Sequence, residues 1–464
     1  MFHQGDRLTL RRSARPIASF VLAFVLGLAI PILASASTPA GASSALEPQV
    51  RILKNGMKLI VWPDHDIPNV AMYTWFRVGS RNERPGITGL SHFFEHMMFK
   101  GSEHYPPGEF DRLMEQNGGA NNAFTSEDVT AYQDWFPKNI LEFIFRLEAD
   151  RICCLSFDPK EIESERQVVY SERRTSVDND NASLLDEQVQ AAAYVAHPYH
   201  NPVIGWPSDI ERWTIDDLRG YFKIHYAPNN ATMILVGDVV PEEVFRLAEQ
   251  YFGPIPAQPR PPGVRTQEPP QLGERRVSIR KIGQTPLLEL AFHTGPADDP
   301  HAEARDLMID ILTSGESSRL YRRLVDQDRV AIDVSSSLSP EGFDPGLIKL
   351  SVTVSPNKGP GAAEAAILDE LSKLARSGPS AQELRKAKNT QLAAHWRNMK
   401  TINAKAEWLG TFEIFRGDYR KFFTAPDRYE RVTRAEIQAL ARTTFDAKNR
   451  TVGVLLPEPS EASR

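Results

Sequence analysis

The sequence predicts an α+β fold of two homologous domains, each an antiparallel-rich sheet covered by helices, which face each other across a cleft. Three observations support this prediction. The chain has 464 residues, more than one hydrophobic core usually serves. Strand-like and helix-like segments follow one another in mixed order, as in α+β proteins. A helix–turn–strand pattern near the middle of the chain also recurs near its end, which indicates an internal duplication.

Residues 1–36 are predicted to be a secretory signal peptide. Arginines precede an apolar run, and Ala34-Ser35-Ala36 fits the small-residue pattern of a cleavage site. An uncleaved membrane anchor is the alternative, because the apolar run approaches the length that spans a bilayer. We therefore expect an exported, periplasmic protein, with residues 37–47 as a linker.

The first domain is predicted to span residues 48–255. Asn55-Gly56 lies between two segments of alternating apolar residues, which is a strong signal for a β-hairpin. Further elements are expected from apolar periodicity and from helix-start residues. They are helices at about 88–100, 107–117, 138–151, 158–177 and 241–252, and a strand at 231–239.

The second domain is predicted at residues 274–457, after a proline-rich linker at 256–273 and before a tail at 458–464. The linker has no apolar period, which is typical of a connection between domains. Inside the second domain we expect helices at 302–313, 361–377 and within 380–416, and a strand at 346–355.

The duplication is visible at a constant offset of 219 residues. Leu218 aligns with Ile437, Tyr226 with Phe445, Asn230 with Asn449, Thr232 with Thr451 and Leu235 with Val454. Each copy stands near the end of its half, which favours duplication over chance. Binding sites form preferentially between domains.

The net charge and the cysteine content argue against nucleic-acid binding and against disulfide bonding, respectively. The net charge is −6 and no basic run is present, so we expect no binding to nucleic acid, which relies on Lys and Arg. The two cysteines, Cys153 and Cys154, are adjacent, and neighbours seldom form a disulfide because the bridge strains the peptide between them. They are expected to be small buried residues at a helix end.

The segment Gly89–Gly101, GLSHFFEHMMFKG, contains the pattern H-x-x-E-H. On a helix, His92 and His96 lie one turn apart on one face and can bind one Zn²⁺. Glu95 can reach a water molecule at the metal without binding the metal itself. Satisfied core histidines are the alternative for a lone match to this short pattern.

A catalytic zinc site needs a third protein ligand and an open position. The glutamate-rich helical segment 158–174 is its expected source. Glu165 and Glu172 are seven residues apart and lie on one stripe of that helix. Glu161 and Glu163 are expected on its solvated face.

These residues resemble the inverted-motif zinc peptidases, the family of pitrilysin, insulin-degrading enzyme and mitochondrial processing peptidase. The resemblance covers nearly all of the chain after residue 36. Within the family, the chain resembles the short bacterial two-domain members. In that family the third ligand lies about 76 residues beyond the second histidine, which implies Glu172 here. The resemblance also implies that Glu165 lies near the metal without binding it; an ordinary helix salt bridge is its alternative role.

The resemblance extends to the segment 117–132, which looks like the strand that pairs with the substrate backbone. It implies substrate contacts at Asn122, Ala123, Phe124 and Thr125, and backbone pairing gives affinity with loose sequence preference. A plain hairpin after Gly118-Gly119 is the alternative.

The family resemblance implies a zinc endopeptidase with one Zn²⁺ per chain, held by His92, His96 and Glu172. Glu95 acts as the general base and Glu165 orients a ligand. Two alternatives remain open: a non-catalytic scaffold subunit on the same fold, and a metal-dependent hydrolase of other substrates.

One departure from the family bears on partners. Family members that work alone, and the partner subunits of two-subunit members, carry an Arg and a Tyr in the second half that contact the substrate carbonyl. The matching region 343–367 has neither residue. We therefore expect a dimer, either a heterodimer whose homologous subunit supplies the Arg/Tyr pair or a homodimer.

Overall fold

Two β-sheets organise residues 47–459, the part of the chain that the computed structural model describes. In chain order, the strands and helices of the first half are β1 (Gln49–Ile52), β2 (Lys58–Pro63), β3 (Asn69–Phe76), α1 (Leu90–Met97), α2 (Glu109–Gln116), β4 (Ala120–Thr125), β5 (Thr130–Pro137), α3 (Leu141–Cys154), α4 (Pro159–Arg173), α5 (Asn181–Ala193), α6 (Pro207–Ile210), α7 (Ile215–His225), β6 (Ala231–Gly237) and α8 (Pro241–Tyr251).

The second half follows after residues 256–274, which contain neither helix nor strand. Its elements are β7 (Arg275–Ile282), β8 (Leu287–His293), α9 (Ala302–Thr313), α10 (Arg319–Tyr321), β9 (Ala331–Leu338), β10 (Leu347–Val354), α11 (Pro360–Ser377), α12 (Ala381–Asn398), α13 (Ile402–Arg416), α14 (Ala425–Arg431), α15 (Arg434–Thr444) and β11 (Arg450–Glu458).

The two sheets share one topology. Sheet 1 has the order β1-β2-β6-β3-β5-β4, and sheet 2 has the order β7-β11-β8-β10-β9. Strand β2 of sheet 1 corresponds to β7 of sheet 2. Each of these strands pairs in parallel with the last strand of its half, β2 with β6 and β7 with β11. The pairings that follow toward β4 and β9 are antiparallel. The predicted class, α+β with two homologous halves, is therefore confirmed.

The predicted offset of 219 residues relates whole elements. Helices α7 and α15 begin at Ile215 and Arg434, and strands β6 and β11 begin at Ala231 and Arg450. The paired asparagines also make the same bonds. Asn230 donates its side-chain amide to the carbonyls of His225 and Arg77, and Asn449 donates to those of Thr444 and His293.

Each half has its own core between its sheet and its helices. In the first half Met72 and Phe76 of β3 pack with Phe93 and Phe94 of α1. In the second half Leu290 of β8 packs among residues of α9, α11 and α15. Alternating side chains of a strand point to opposite faces, so each sheet offers a second face for other contacts.

Each half also covers the free sheet face of the other half with one helix. Tyr73 and Trp75 of sheet 1 pack against Leu409 and Phe412 of α13 from the second half. In the opposite direction, residues of α5 from the first half pack against Ala291 and other residues of sheet 2. Because contacts cross between halves in both directions, the domain limits proposed from the sequence remain a prediction.

The expectation for the two cysteines is wrong. Cys153 and Cys154 are joined by a disulfide, and Cys153 is exposed. The reason lies in helix α3, whose last turn directs Ile152, only 3% exposed, into the core. Cys153 is exposed and Cys154 is only half-buried, so the core encloses neither side chain, and their sulfur atoms are bonded at the helix end. The bridge joins neighbours and closes no long loop, so the fold rests on its cores.

The predicted signal peptide and most of the predicted linker lie outside the described residues. Within residues 47–459, no helix is both long and apolar enough to cross a membrane.

Candidate active site

Helix α1 presents the H-x-x-E-H side chains, and its start is held by buried groups. It begins after Gly89, whose φ is 87° and whose added Cβ would meet the carbonyl oxygen of Ile204 at 2.5 Å. The buried carboxylate of Glu83 accepts hydrogen bonds from the backbone N–H groups of Gly89 (2.6 Å) and Ser91 (2.7 Å). These bonds satisfy donors that a helix start leaves free.

The other side of α1 anchors it in the core. Phe93, Phe94 and Met97 are buried, and the hydroxyl of Tyr132 donates to the carbonyl of Phe94 at 3.0 Å. The helix therefore divides its residues as predicted, with apolar side chains in the core and polar ones on the other face.

The structure brings the three predicted ligands together. Nε2 of His92 lies 3.6 Å from Oε1 of Glu172, and Nε2 of His96 lies 3.3 Å from Oε2 of the same carboxylate. One ligand atom from each of the three residues lies within 4.8 Å of the other two. Glu172 reaches this position from α4, which packs on α1.

The spacing of these atoms fits a metal ion better than a direct hydrogen bond. Four-coordinate zinc with ligand distances of about 2.0–2.1 Å separates its ligand atoms by about 3.3 Å, whereas charge-assisted hydrogen bonds measure about 2.7–2.9 Å. The two measured separations, 3.3 and 3.6 Å, agree with the first value. Two imidazoles and one carboxylate also form a donor set typical of catalytic zinc sites.

Glu165 lies behind His96 and does not join the three ligands. Its Oε1 is 2.8 Å from Nδ1 of His96, and its Oε2 is 2.8 Å from Nζ of Lys100. Because Nδ1 is engaged in this way, Nε2 of His96 is the nitrogen that faces Glu172. A carboxylate behind a ligand histidine fixes the orientation of its ring.

The charges of the cluster shift the pKa values of its members. Burial opposes protonation of His96, but its contacts with Glu165 and Glu172 outweigh burial and raise its pKa to about 9. The imidazoles of His92 and His96 hold the pKa of Glu172 below its ordinary range. Burial raises the pKa of Glu165, yet His96 and Lys100 lower it more, so the net shift is downward. Both glutamates are therefore anionic, and the negative charge of Glu172 suits a cation between its carboxylate and the two imidazoles.

The structure gives Glu95 a partner that the sequence analysis did not identify. The hydroxyl of Thr125 donates to Oε2 of Glu95 at 2.6 Å. Thr125 was predicted only as a residue that contacts substrate. Since the pair is 30 residues apart and belongs to different elements, the local pattern around α1 carries no signal for it.

Strand β4 carries the four residues predicted to contact substrate. It is the edge strand of sheet 1 and pairs with β5 alone among the described strands. Asn122 lies opposite Gln133, and Phe124 packs edge-on against Trp75 at 5.4 Å between ring centroids. Unpaired backbone groups on an edge strand are a template for another strand.

A cavity of about 720 Å³ joins these features. The first half contributes His92, Glu172 and Thr125 to its wall, and the second half contributes Glu289 and Asp333 from sheet 2. Two of the predicted ligands, Thr125 at the end of the edge strand and the opposite half therefore face one space, of a size typical of ligand sites.

Two family models match the chain. Residues 60–206 match the model described as insulinase (peptidase family M16). Residues 212–391 match the model described as peptidase M16 inactive domain.

Several relatives carry the name of zinc protease. Zinc protease PqqE of Helicobacter pylori is 31% identical over 385 residues, which cover 81% of this chain and 86% of the relative. The uncharacterized zinc protease YmxG of Bacillus subtilis is 25% identical and covers 84% of this chain and 94% of its own. A probable mitochondrial-processing peptidase subunit beta of Schizosaccharomyces pombe is 30% identical but covers only 43% of this chain and 44% of its own.

Solved structures show the same architecture. A protease from Helicobacter pylori matches with a TM-score of 0.85 and 28% identity, and covers 89% of this chain and 100% of its own. The periplasmic protease PqqL from Escherichia coli matches with a TM-score of 0.74 and 18% identity, and this chain corresponds to 48% of its length. Because the match to PqqE extends over most of both chains and the two models of one family follow each other along the sequence, this chain belongs to peptidase family M16.

Proposed function

We propose that this chain is a zinc-dependent endopeptidase that hydrolyses peptides or unfolded segments bound as an added strand beside β4. The carrying observation is the position of Glu172, from a separate helix, opposite Nε2 of both His92 and His96. Relatives named as zinc proteases support the metal and the reaction class.

In this proposal His92, His96 and Glu172 hold one Zn²⁺. When bound there, Zn²⁺ would supply Lewis acidity next to the carboxylate of Glu95. Glu95 removes the proton of the attacking water and later donates it to the leaving amine. Thr125 orients the Glu95 carboxylate through its hydrogen bond, and Glu165 orients His96.

The substrate is a peptide in extended conformation. Backbone pairing along Asn122, Ala123, Phe124 and Thr125 presents its amides in a regular row. The peptide lies in the cavity that also holds His92 and Glu172, so an amide of an added strand lies close to the metal centre.

In this proposal the protein is exported and works as a dimer. The export signal is residues 1–36, and the periplasm is the expected compartment. The dimer is either a heterodimer, whose homologous subunit supplies the Arg/Tyr pair missing from residues 343–367, or a homodimer. Size-exclusion chromatography, with peptidase assays of the chain alone and with a co-expressed homologous subunit, separates the heterodimer from the homodimer.

The test of the function uses a fluorogenic unfolded peptide and the zinc content per chain. We expect Glu95→Gln to keep one zinc and to lose cleavage by at least about 100-fold, as expected for a lost general base. His92→Ala and Glu172→Ala should lose zinc and activity together, and a chelator should abolish cleavage by the unaltered chain.

The matched control is Glu163→Gln, an exposed glutamate of the same helix that carries Glu172. It should keep full activity and full zinc content. Full activity in Glu95→Gln would contradict the assigned base. Zinc binding without cleavage by the unaltered chain in every subunit combination would favour the scaffold function instead.

A further inference from the structure

A second cluster of metal-binding side chains lies at the end of helix α3 and shares no residue with the candidate active site. Asp150, Cys153 and Cys154 each offer a ligand atom within 4.8 Å of the others. The spacing explains the proximity, since residues three and four positions apart share one helix face. In the structure the two sulfur atoms are joined in a disulfide.

His104, from the loop that follows α1, holds the carboxylate of Asp150 in place. Its Nδ1 lies 2.6 Å from Oδ1 of Asp150, and its backbone N–H donates to Oδ2 of Asp150 at 3.0 Å. The hydroxyl of Ser102 donates to the same oxygen. Loop and helix end are also joined by a backbone bond from Glu103 to Cys154.

The cluster combines a fixed carboxylate with accessible neighbours. The side chain of Asp150 is 8% exposed, whereas that of His104 is 70% exposed. Cys153 lines a surface groove of about 540 Å³ together with His104, Asp150 and Tyr251. A small reductant or a hydrated cation can therefore reach the bridge from solvent at Cys153.

We propose that Cys153, Cys154 and Asp150 form a redox-gated site for a thiophilic divalent cation of the zinc and cadmium class, in which His104 positions Asp150. In the oxidised chain the bridge occupies both sulfur atoms, so no thiolate is available. Thiolates are preferred ligands of these cations.

The gating step is a thiol–disulfide exchange with an external thiol. Two thiol molecules supply two electrons and two protons: the Cys153–Cys154 bond breaks, two Cys thiols form, and the external thiols are oxidised to one disulfide. Binding of one divalent cation then displaces the two thiol protons, because the thiolate is the ligand form. Asp150 supplies the third protein ligand, and His104 orients its carboxylate.

The experiment titrates the full chain with Cd²⁺ after its active-site metal has been loaded with zinc. One sample is oxidised, and the other is reduced with dithiothreitol and desalted without oxygen. We expect the reduced chain to bind one further Cd²⁺ with a sulfur-to-cadmium absorption band, and the oxidised chain to show no such band. Native mass spectrometry counts the bound ions.

Three variants locate the site. Cys153→Ser and Cys154→Ser should each lose the band, and His104→Gln should weaken Cd²⁺ binding by about 10- to 100-fold, the usual effect of losing a ligand partner. His301→Gln, another exposed histidine, should bind as the unaltered chain does. Circular dichroism verifies that every variant is folded.

A reduced chain that binds no additional Cd²⁺, or an oxidised chain that binds it equally well, overturns the proposal. Peptidase activity is not the readout, so the result is independent of the proposed function.

Discussion

At the scale of single residues, the hydroxyl of Thr125 positions one oxygen of the proposed general base. Its hydrogen bond to Glu95 is 2.6 Å long and connects the edge strand to helix α1. A bond to a charged group contributes about 1.5–3 kcal/mol. The strand that is proposed to receive substrate therefore also holds the group proposed to act on it.

We expect Thr125→Val to lower kcat by at least about tenfold, because a loss of about 1.4 kcal/mol in the transition state has that effect. Zinc content should not change, since Thr125 contacts no proposed ligand. Thr125→Ser, which retains the hydroxyl, should stay within about threefold of the unaltered chain. Equal kcat values for Thr125→Val and the unaltered chain would show that the hydrogen bond does not assist catalysis.

Another residue, His225, links stability to pH. It is 5% exposed and packs against Tyr221 with 4.3 Å between ring centroids. Burial lowers its pKa from 6.5 to about 4. Because the unfolded chain binds this proton more readily, the stabilising contribution is complete above pH 6.5 and is lost as the pH falls toward 4.

We predict that this histidine alone lowers the free energy of unfolding by about 2 kcal/mol between pH 7.5 and pH 5. The variant His225→Phe, which keeps an aromatic ring, should remove that part of the pH dependence. His301→Gln should not, since His301 is exposed. Urea unfolding at both pH values measures the difference, and equal pH dependence in the two variants would exclude this role of His225.

At the scale of secondary-structure elements, helix α13 approaches sheet 1 closely at Gly410. A Cβ at this position would overlap the indole ring of Trp75, with Cζ2 only 2.9 Å away. Trp75 is 2% exposed and cannot move into solvent. The glycine therefore permits the contact between the helix and the sheet.

Gly410→Ala should lower the free energy of unfolding by about 1–3 kcal/mol, the usual cost of overpacking. The matched control is Gly220→Ala in the middle of α7, where an added Cβ meets no atom within 4 Å. Alanine has the higher helix propensity by about 0.8–1.0 kcal/mol, so the control should be neutral or stabilising. Denaturant unfolding measures the change in the free energy of unfolding for both variants. Equal changes in the two variants would refute the packing argument.

Elements with a local signal were predictable from the sequence. Helix α7 has Thr214 as its N-cap and Asp217 as the partner in a capping box, and α8 and α11 begin at Pro241 and Pro360. Helix α5 was not predicted, although it follows the helix that carries Glu172 and packs on sheet 2. Its apolar face meets residues about 100 or more positions away, and such a partner leaves no periodic signal of its own.

The candidate site divides in the same way. His92, Glu95 and His96 were predictable because a helix brings nearby residues together. Glu165 and Glu172 were placed by a resemblance and by spacing along the chain. The Thr125–Glu95 bond and the disulfide at Cys153 depend on how elements meet in space, which a local pattern does not encode.

At the scale of the whole molecule, each half covers a sheet of the other with one helix. Without α13, sheet 1 would expose six large apolar side chains, those of Ile60, Trp62, Tyr73, Trp75, Ile234 and Val236. At about 1.5–3 kcal/mol each, their exposure costs on the order of 10 kcal/mol, comparable with the net stability of a typical domain.

We therefore expect residues 47–255 alone to be unstable. When expressed separately, they should bind a hydrophobic dye and aggregate, and co-expression with residues 256–459 should restore a folded complex. Ion pairs Lys58–Glu413 and Lys405–Asp64 should help the two pieces to associate. A cooperative thermal transition of the isolated first half would disprove the mutual dependence of the halves.

The path from Glu172 to α5 has a thermodynamic consequence. The ligand stands on α4, the π-helical turn Arg174–Asp178 follows at once, and α5 is docked on the opposite sheet, where Asp186 pairs with Lys349 at 2.5 Å. Separation of the halves would displace α5 and, through this short turn, the helix that carries Glu172, the proposed third ligand. Metal loading and the separation of the halves are then linked equilibria, and each must bias the other by the same free energy. Small-angle scattering of the zinc-loaded and zinc-free chain would report this linkage as a change in the radius of gyration, and equal radii would show that it is absent.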